Sequence, residues 1–227
     1  MPMKGDGSAD EWREIDRFDG GVGWIAYPEE TMQRASHAVV GDDGGVWVID
    51  PVDVDGLDDL LGEFGEVAGV VVLLDRHKRD SAAVANRHDV SVWVPSFMDG
   101  VASELDAPIE RFDGELGSSG FVLHELVDNS FWQEGVLYNE EGGVRVVPEA
   151  VGGSGYFRTS ERALGVHPML RLLPPRELSR FRPSRVLVGH GPGVSEDAPE
   201  ALSDAISGAR VRTPRLFFKN VKDLVIG

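Results

Sequence analysis

A charged turn after a short aliphatic run is where this sequence gathers residues able to do chemistry. Val70 to Leu74 is wholly aliphatic, and the next six residues are Asp75, Arg76, His77, Lys78, Arg79 and Asp80. Carboxylate and imidazole groups ligate metal ions, whereas protonated arginine and lysine cannot. Ligands of layered α/β proteins gather at the carboxyl ends of strands. We therefore expect a site in this turn, with Asp80 capping the helix that follows.

The turn and a later glycine-flanked histidine resemble the metallo-β-lactamase superfamily. The features in common are an aliphatic strand, a compact His/Asp turn, a helix, and Gly189-His190-Gly191 after a late strand. In that family the turn reads Thr-His-x-His-x-Asp-His and binds one or two metal ions. Here the aligned segment reads Asp75-Arg76-His77-Lys78-Arg79-Asp80-Ser81. Asp80 matches the family, the three histidine positions hold Arg76, Lys78 and Ser81, and His77 falls on a spacer.

The resemblance also assigns roles to residues outside the turn. Asp50 matches the family's structural aspartate, Glu149 its bridging carboxylate and His190 its last histidine. No histidine stands near residues 127–129, where the family has one. The metal-like positions implied are Asp80, Glu149 and His190, with His77 as an outside candidate. Asp80 and His190 are the residues expected to be catalytic.

Arg76 and Lys78, which stand where the family has histidines, determine which function we expect. Catalytic zinc usually needs three protein ligands, mostly imidazole. Arg76 and Lys78 would oppose a divalent ion, and they are able to neutralise Asp80 and Glu149 as an internal ion-pair cluster instead. The leading expectation is a protein without bound metal, acting as a non-catalytic module that binds a small molecule or a protein.

An alternative remains open, in which the metal is retained. His77, Asp80, Glu149 and His190 would then hold zinc, manganese or iron and activate water toward an ester, thioester or phosphoester. Purely structural roles remain open too, with Asp80 as a helix cap and the other residues as ordinary loop side chains. We interpret the remaining histidines, His37, His88, His124 and His167, as structural.

Hydrophobic patterns predict the elements around these residues. Early strands are expected at 22–27, 36–40 and 46–49, and a helix from Asp55 has leucines at i, i+3 and i+4. The aliphatic run suits a strand buried on both faces, and strand–helix alternation around it implies parallel neighbours. The second half repeats strands at 109–112, 120–126, 136–139, 144–147 and 185–188, followed by a helix at 197–209 and a last helix from Pro214.

These elements fit the αββα sandwich that the resemblance implies, an α/β fold with two mixed sheets face to face and helices outside. No Pro/Gly/Ser-rich linker divides the halves, so we expect one domain over residues 15–227, after a disordered tail at 1–14. The sequence lacks a signal-peptide pattern and the roughly 20 apolar residues of a transmembrane helix, which favours a cytoplasmic protein.

The composition of the chain disfavours some classes of binding partner. The chain of 227 residues has a net charge of −17, no cysteine and 22 basic residues. Only four of these are lysines, at Lys4, Lys78, Lys219 and Lys222. Abundant acid with scarce lysine suggests adaptation to high salt, where self-repulsion is screened. The charge disfavours nucleic acid and anionic membranes as partners, although basic residues after Arg210 leave nucleic acid as a remote alternative.

Overall fold

The computed structural model describes residue 9, residues 11–159 and residues 163–226 of the chain. Seven strands form a first sheet and follow one another across it in chain order. They are β1 Arg13–Phe18, β2 Gly21–Ile25, β3 Ala35–Val40, β4 Val46–Ile49, β5 Val67–Val71, β6 Val92–Pro95 and β7 Ile109–Phe112. β1 to β4 pair antiparallel, whereas β4 to β7 pair in parallel.

The parallel strands are joined by crossovers, because a tight turn cannot connect them. Two of these crossovers contain helices, α1 Leu57–Gly62 and α2 Ser81–Arg87. Strand β5 lies between β4 and β6, so the prediction of an interior strand is confirmed. Its Gly69 lies between two indole rings. A Cβ at this position would lie 2.8 Å from Trp47 and 2.9 Å from Trp93, so no larger residue fits there. The glycine thus allows the edge-to-face Trp47–Trp93 pair, whose centroids are 5.4 Å apart.

The second sheet has four strands in the order β13-β10-β9-β8. Its strands are β8 Val122–Asn129, β9 Trp132–Asn139, β10 Val144–Val147 and β13 Arg185–Val188. β10 pairs in parallel with β13 and antiparallel with β9, so this sheet is mixed as well. A two-stranded ribbon, β11 Val151–Gly152 with β12 Gly165–Val166, follows β10, and the long helix α3 Ala198–Ile226 comes last.

Three apolar clusters hold the layers together. Between the sheets, Ile49 and Val71 of the first meet Leu137, Val146 and Leu187 of the second. The outer face of the first sheet packs on buried side chains of α1 and α2, and the outer face of the second sheet packs on α3. This layer order confirms the predicted αββα sandwich.

Several strands and helices have boundaries that differ from those predicted from the sequence. The interior strand begins and ends three residues earlier than expected, at Val67–Val71. The two predicted C-terminal helices are one helix, since α3 continues through Pro214. β1 begins at Arg13, inside the segment predicted as a tail, and Trp12 Nε1 donates to the Asp55 carbonyl at 2.8 Å. Residues 1–8 and 10 of that predicted tail lie outside the described residues. None of the described helices is both long and apolar enough to span a membrane.

Candidate functional site

Three buried side chains from three strand ends meet at one edge of the sandwich. His77 follows β5, Glu149 follows β10 and His190 follows β13. One ligand atom from each lies within 4.8 Å of the others, and the residues are only 6%, 6% and 2% exposed. The isolated bridge between Leu74 and Glu134 ties the turn after β5 to the second sheet, which brings His77 to the ends of β10 and β13.

His190 presents a ring nitrogen with a free lone pair. Its Nδ1 lies 3.1 Å from the Met32 carbonyl, which can only accept, so Nδ1 carries the proton. Burial, with help from His77 and Arg79, lowers the pKa of His190 well below its usual value, so the ring is neutral. The buried Nε2 has no hydrogen-bond partner among the described residues and lies 3.9 Å from Glu149 Oε1.

The flanking glycines let His190 reach this position. A Cβ on Gly189 would lie 2.2 Å from the Pro148 carbonyl oxygen. Gly191 has φ +76°, which side-chain-bearing residues rarely adopt. The Gly-His-Gly pattern is therefore required by the close approach of this loop to the end of β10.

His77 is oriented by a buried carboxylate. Its Nδ1 lies 3.1 Å from Asp50 Oδ2, and Asp50 Oδ1 accepts from the Leu73 amide at 2.9 Å. Burial raises the pKa of Asp50 to about 7, against the opposing effect of Arg79. Arg79 Nη2 can only donate and lies 3.4 Å from His77 Nε2, which makes Nε2 the acceptor nitrogen. A histidine tied to a carboxylate through one nitrogen is a common arrangement around protein-bound metals.

The two carboxylate oxygens of Glu149 face different neighbours. Oε2 accepts from Arg76 Nε at 3.0 Å, whereas Oε1 faces His190 and His167. The Glu149 amide donates to Glu134 Oε1 at 2.8 Å. The backbone of Glu149 is therefore anchored to β9, and one of its oxygens is directed at the two histidines.

His167 and Glu134 also contact Glu149, and sequence reasoning missed both: it interpreted His167 as structural and did not consider Glu134. The Met169 amide lies 3.3 Å from His167 Nδ1, so His167 Nε2 carries the proton, 3.6 Å from Glu149 Oε1. Burial lowers the pKa of His167 to about 4, which keeps the ring neutral. Burial also raises the pKa of Glu134 to about 7. An acidic residue inside the apolar strand β9 was the one available signal for Glu134.

Arg79 is a third residue that sequence reasoning missed, because it stands on a spacer of the family pattern. Its side chain is half-buried, with Nε shielded from solvent, and its guanidinium donates to the carbonyls of Ala35 at 2.6 Å, Asp50 at 2.8 Å and Gly189 at 3.1 Å. Burial lowers the pKa of Arg79, while Asp50 opposes the shift. A fixed cation thus lies directly beside the three candidate ligands.

Arg76 and Lys78, the two cations expected to replace the metal, lie in different surroundings. The expected ion pair between the turn and the carboxylates is confirmed by Arg76 and Glu149. Lys78 does not converge on the site, because its Nζ pairs with Glu104 at 3.0 Å and donates to the Asp75 carbonyl at 2.9 Å.

The Asp80 carboxylate accepts a hydrogen bond from a backbone amide and is not part of the group around Glu149. Its Oδ2 accepts from the Asp53 amide at 2.8 Å. In the described part of the chain, its side chain makes no capping hydrogen bond to α2, contrary to expectation, since the carboxylate is already engaged by the segment after β4. The three-residue group that could hold a metal does not include it.

The donors fit one transition-metal ion better than two. Two imidazole Nε2 atoms and one carboxylate oxygen make the three protein ligands that a catalytic zinc site requires. Both imidazoles have the correct tautomer, and the buried Nε2 of His190 lacks a hydrogen-bond partner among the described residues. A two-metal site needs additional ligands, which this group lacks.

Comparisons with known proteins identify the fold. No protein-family profile and no curated protein matches the sequence. Among solved structures, the metallo-β-lactamase from Pontibacter korlensis is 13% identical, with a TM-score of 0.61 over 88% of this chain and 99% of its own. FIM-1 from Pseudomonas aeruginosa in its mono-zinc form is 12% identical, with a TM-score of 0.55 over 88% of this chain and 96% of its own. TTHA1623 in a di-iron-bound form is 19% identical, with a TM-score of 0.54 over 80% of this chain and 94% of its own. At these identities a shared fold is shown: the chain has the metallo-β-lactamase fold, as the sequence resemblance predicted.

Proposed function

We propose that this chain binds one transition-metal ion through His77, Glu149 and His190, and hydrolyses an ester, thioester or phosphoester. The observation that carries the proposal is the buried Nε2 of His190, which has a lone pair, no hydrogen-bond partner in the described residues, and a carboxylate oxygen 3.9 Å away. An imidazole nitrogen left in this state is costly unless a ligand occupies it. Zinc, manganese and iron all accept imidazole and carboxylate donors.

A metal ion in this position supplies a Lewis acid and lowers the pKa of a bound water. The chain itself contributes the orientation of the ligands. Asp50 and the Met32 carbonyl fix the His77 and His190 tautomers. Arg76 occupies Glu149 Oε2, which leaves Oε1 to ligate, and the His167 Nε2 proton faces that same Oε1.

A second candidate function is the non-catalytic, metal-free module that the sequence favoured, and the position of Arg79 supports it. Arg79 Nη2 lies 3.4 Å from His77 Nε2, so its positive charge would oppose a divalent ion at that nitrogen, and its hydrogen bond to the ring would have to be given up. Asp50 and Glu149 offset part of that repulsion. In this second case Arg79 and Arg76 balance the buried carboxylates, and the site binds a ligand without catalysing its hydrolysis.

The metal content of the protein separates the two candidates. We expect about one equivalent of zinc, manganese or iron per chain by elemental analysis after supplementation and desalting, as a single three-ligand site predicts. His190→Gln and His77→Gln should each lose it. His88→Gln is the matched control, because His88 pairs with Asp58 on the surface and should leave the metal content unchanged. A wild-type protein without stoichiometric metal would favour the metal-free module.

A further inference from the structure

Arg76 is the most exposed member of the site. Its side chain is 40% exposed, compared with 8% for Glu149 and 3% for His190. Arg76 is therefore the member of the site most accessible to a molecule from solvent. The guanidinium also lies over the Trp132 ring, 4.2 Å from its centroid, which holds the plane in one orientation.

The donors of Arg76 are only partly used. Nε donates to Glu149 Oε2 at 3.0 Å, and Nη1 donates to Asp75 Oδ1 and to the Phe131 carbonyl, both at 3.3 Å. Nη2 makes no hydrogen bond to any residue that the structure describes. In a planar guanidinium, one Nη2 proton lies on the same edge as the Nε proton. The unused donor therefore points along the edge that faces Glu149, away from Asp75.

We propose that Arg76 Nη2 holds an anionic group of the substrate, so that the preferred substrates are esters or thioesters that carry a carboxylate or phosphate near the scissile bond. The substrate preference rests on the proposed function, whereas anion binding at Arg76 does not. Guanidinium groups bind carboxylate and phosphate through paired N–H donors. The Asp75 carboxylate is bonded at Nη1 and the Glu149 carboxylate at Nε, so Nη2 is the donor that remains for an anion, whose binding the neighbouring Glu149 charge weakens.

The kinetic test uses two esters in which a terminal methyl group replaces a carboxylate, the neutral 4-nitrophenyl hexanoate and the anionic 4-nitrophenyl half ester of adipic acid. For Arg76→Met we expect the ratio of KM for the half ester to KM for the neutral ester to rise about tenfold, as for the loss of one charge-assisted hydrogen bond. The loss of the Arg76–Glu149 contact should affect both esters equally and therefore leave this ratio unchanged. Phe131→Ser is the control, because it removes a neighbouring side chain and keeps the carbonyl that Arg76 contacts. It should leave the ratio of the two KM values unchanged, and an equal loss of both substrates in Arg76→Met would overturn the proposal.

A binding test works even if no ester is hydrolysed. At constant ionic strength, adipate should raise the Tm of the wild type and of Phe131→Ser, because a ligand that binds the folded state stabilises it, whereas neutral 1,6-hexanediol should not. The shift should vanish in Arg76→Met. If that variant does not fold, Arg76→Lys should show a smaller shift than the wild type. An adipate shift that survives the loss of Arg76 would refute the inference, whereas a wild type that binds adipate but hydrolyses neither ester would refute the hydrolase function alone.

Discussion

At the scale of single residues, the site is a balance of buried charges. Asp50 and Arg79 are both withdrawn from solvent, and the guanidinium donates to the Asp50 carbonyl while its charge stabilises the carboxylate. Such an arrangement tolerates the loss of one partner poorly, because the other is left buried without compensation. The same residues that orient His77 therefore also hold β3, β4 and the His190 loop together.

Arg79→Met should lower the free energy of unfolding by about 3 to 5 kcal/mol, the usual result of leaving a buried charge unpaired. Urea denaturation in metal-free buffer measures this value. Arg182→Met is the matched control, since Arg182 is 78% exposed and pairs with Glu200 on the surface. Its loss should change the free energy of unfolding by less than about 1 kcal/mol. Similar losses in the two variants would show that Arg79 is not a structural cation.

At the scale of elements, helix α3 packs on the second sheet and contains a proline in its interior. Its first half packs Leu202, Ala205 and Ile206 against the second sheet, and Leu216 is fully buried further along. Pro214 lies inside the helix, where it cannot donate to the carbonyl four residues earlier. The helix continues through it because residues on both sides are held by tertiary contacts, such as Arg171 Nε donating to the Ala209 carbonyl at 3.2 Å.

Pro214→Ala should raise the free energy of unfolding by about 1 to 3 kcal/mol, because alanine restores the missing donor and has the higher helix propensity. The urea midpoint and the helical circular dichroism signal should both increase. A decrease in stability would mean instead that the proline fixes a bend on which the packing of Leu216 depends.

The second sheet contains a buried cation on its outer face. Arg145 of β10 is 1% exposed and lies over the Phe181 ring, 4.2 Å from its centroid. Phe181 also contacts His124 of β8, with ring centroids 4.9 Å apart, and Tyr138 of β9, at 5.2 Å. Burial and the charge of Arg145 lower the pKa of His124, so the folded state favours neutral imidazole.

Because the folded-state pKa of His124 is lowered, its contribution to stability is present above its ordinary pKa of 6.5 and is lost as the pH falls through the folded value. Urea midpoints for the wild type and His124→Gln, measured between about pH 5 and pH 8, isolate this contribution because the other titrating groups cancel. The wild type should lose stability toward acid more steeply than the variant. Parallel curves for the two proteins would contradict the assignment.

At the scale of the whole molecule, acidic residues greatly outnumber basic ones, and most of the basic charge is carried by arginine. The chain has 39 acidic residues against 22 basic ones. Many carboxylates in the structure pair with arginine, such as Asp53 and Asp58 with Arg87, yet the excess leaves strong net repulsion. Because salt screens such repulsion over about 3 Å at 1 M, the folded state should gain stability in concentrated salt.

The urea midpoint should therefore rise between about 0.1 and 3 M KCl, with most of the increase expected where the screening length changes most. An uncharged osmolyte at matched osmolarity controls for general solvent effects and should give a smaller increase. A midpoint that is flat or falls with KCl would count against adaptation to high salt.

The sequence by itself determined the layers of this protein. Strand and helix periodicity, with strong aliphatic runs, indicated the parallel arrangement around β5, because these patterns reflect burial along each element, and the resemblance to the metallo-β-lactamase superfamily implied the αββα order. The residues Asp50, Glu149 and His190 were also identifiable, through the resemblance to the metallo-β-lactamase superfamily, whose motif positions they match.

Only the tertiary structure decided which side chains meet. The turn after β5 gives Arg79 a φ of +40°, and within this turn His77 faces Glu149 while Asp80 bonds to the segment after β4. No local pattern specifies that choice, because it depends on residues far apart in the chain: Asp53 lies 27 positions from Asp80, and Glu149 lies 72 positions from His77. The same holds for His167, whose position beside Glu149 follows from the packing of β12 and the loop after it. Burial then set the protonation of His167 and His190, because the desolvation that keeps these rings neutral exists only in the folded chain.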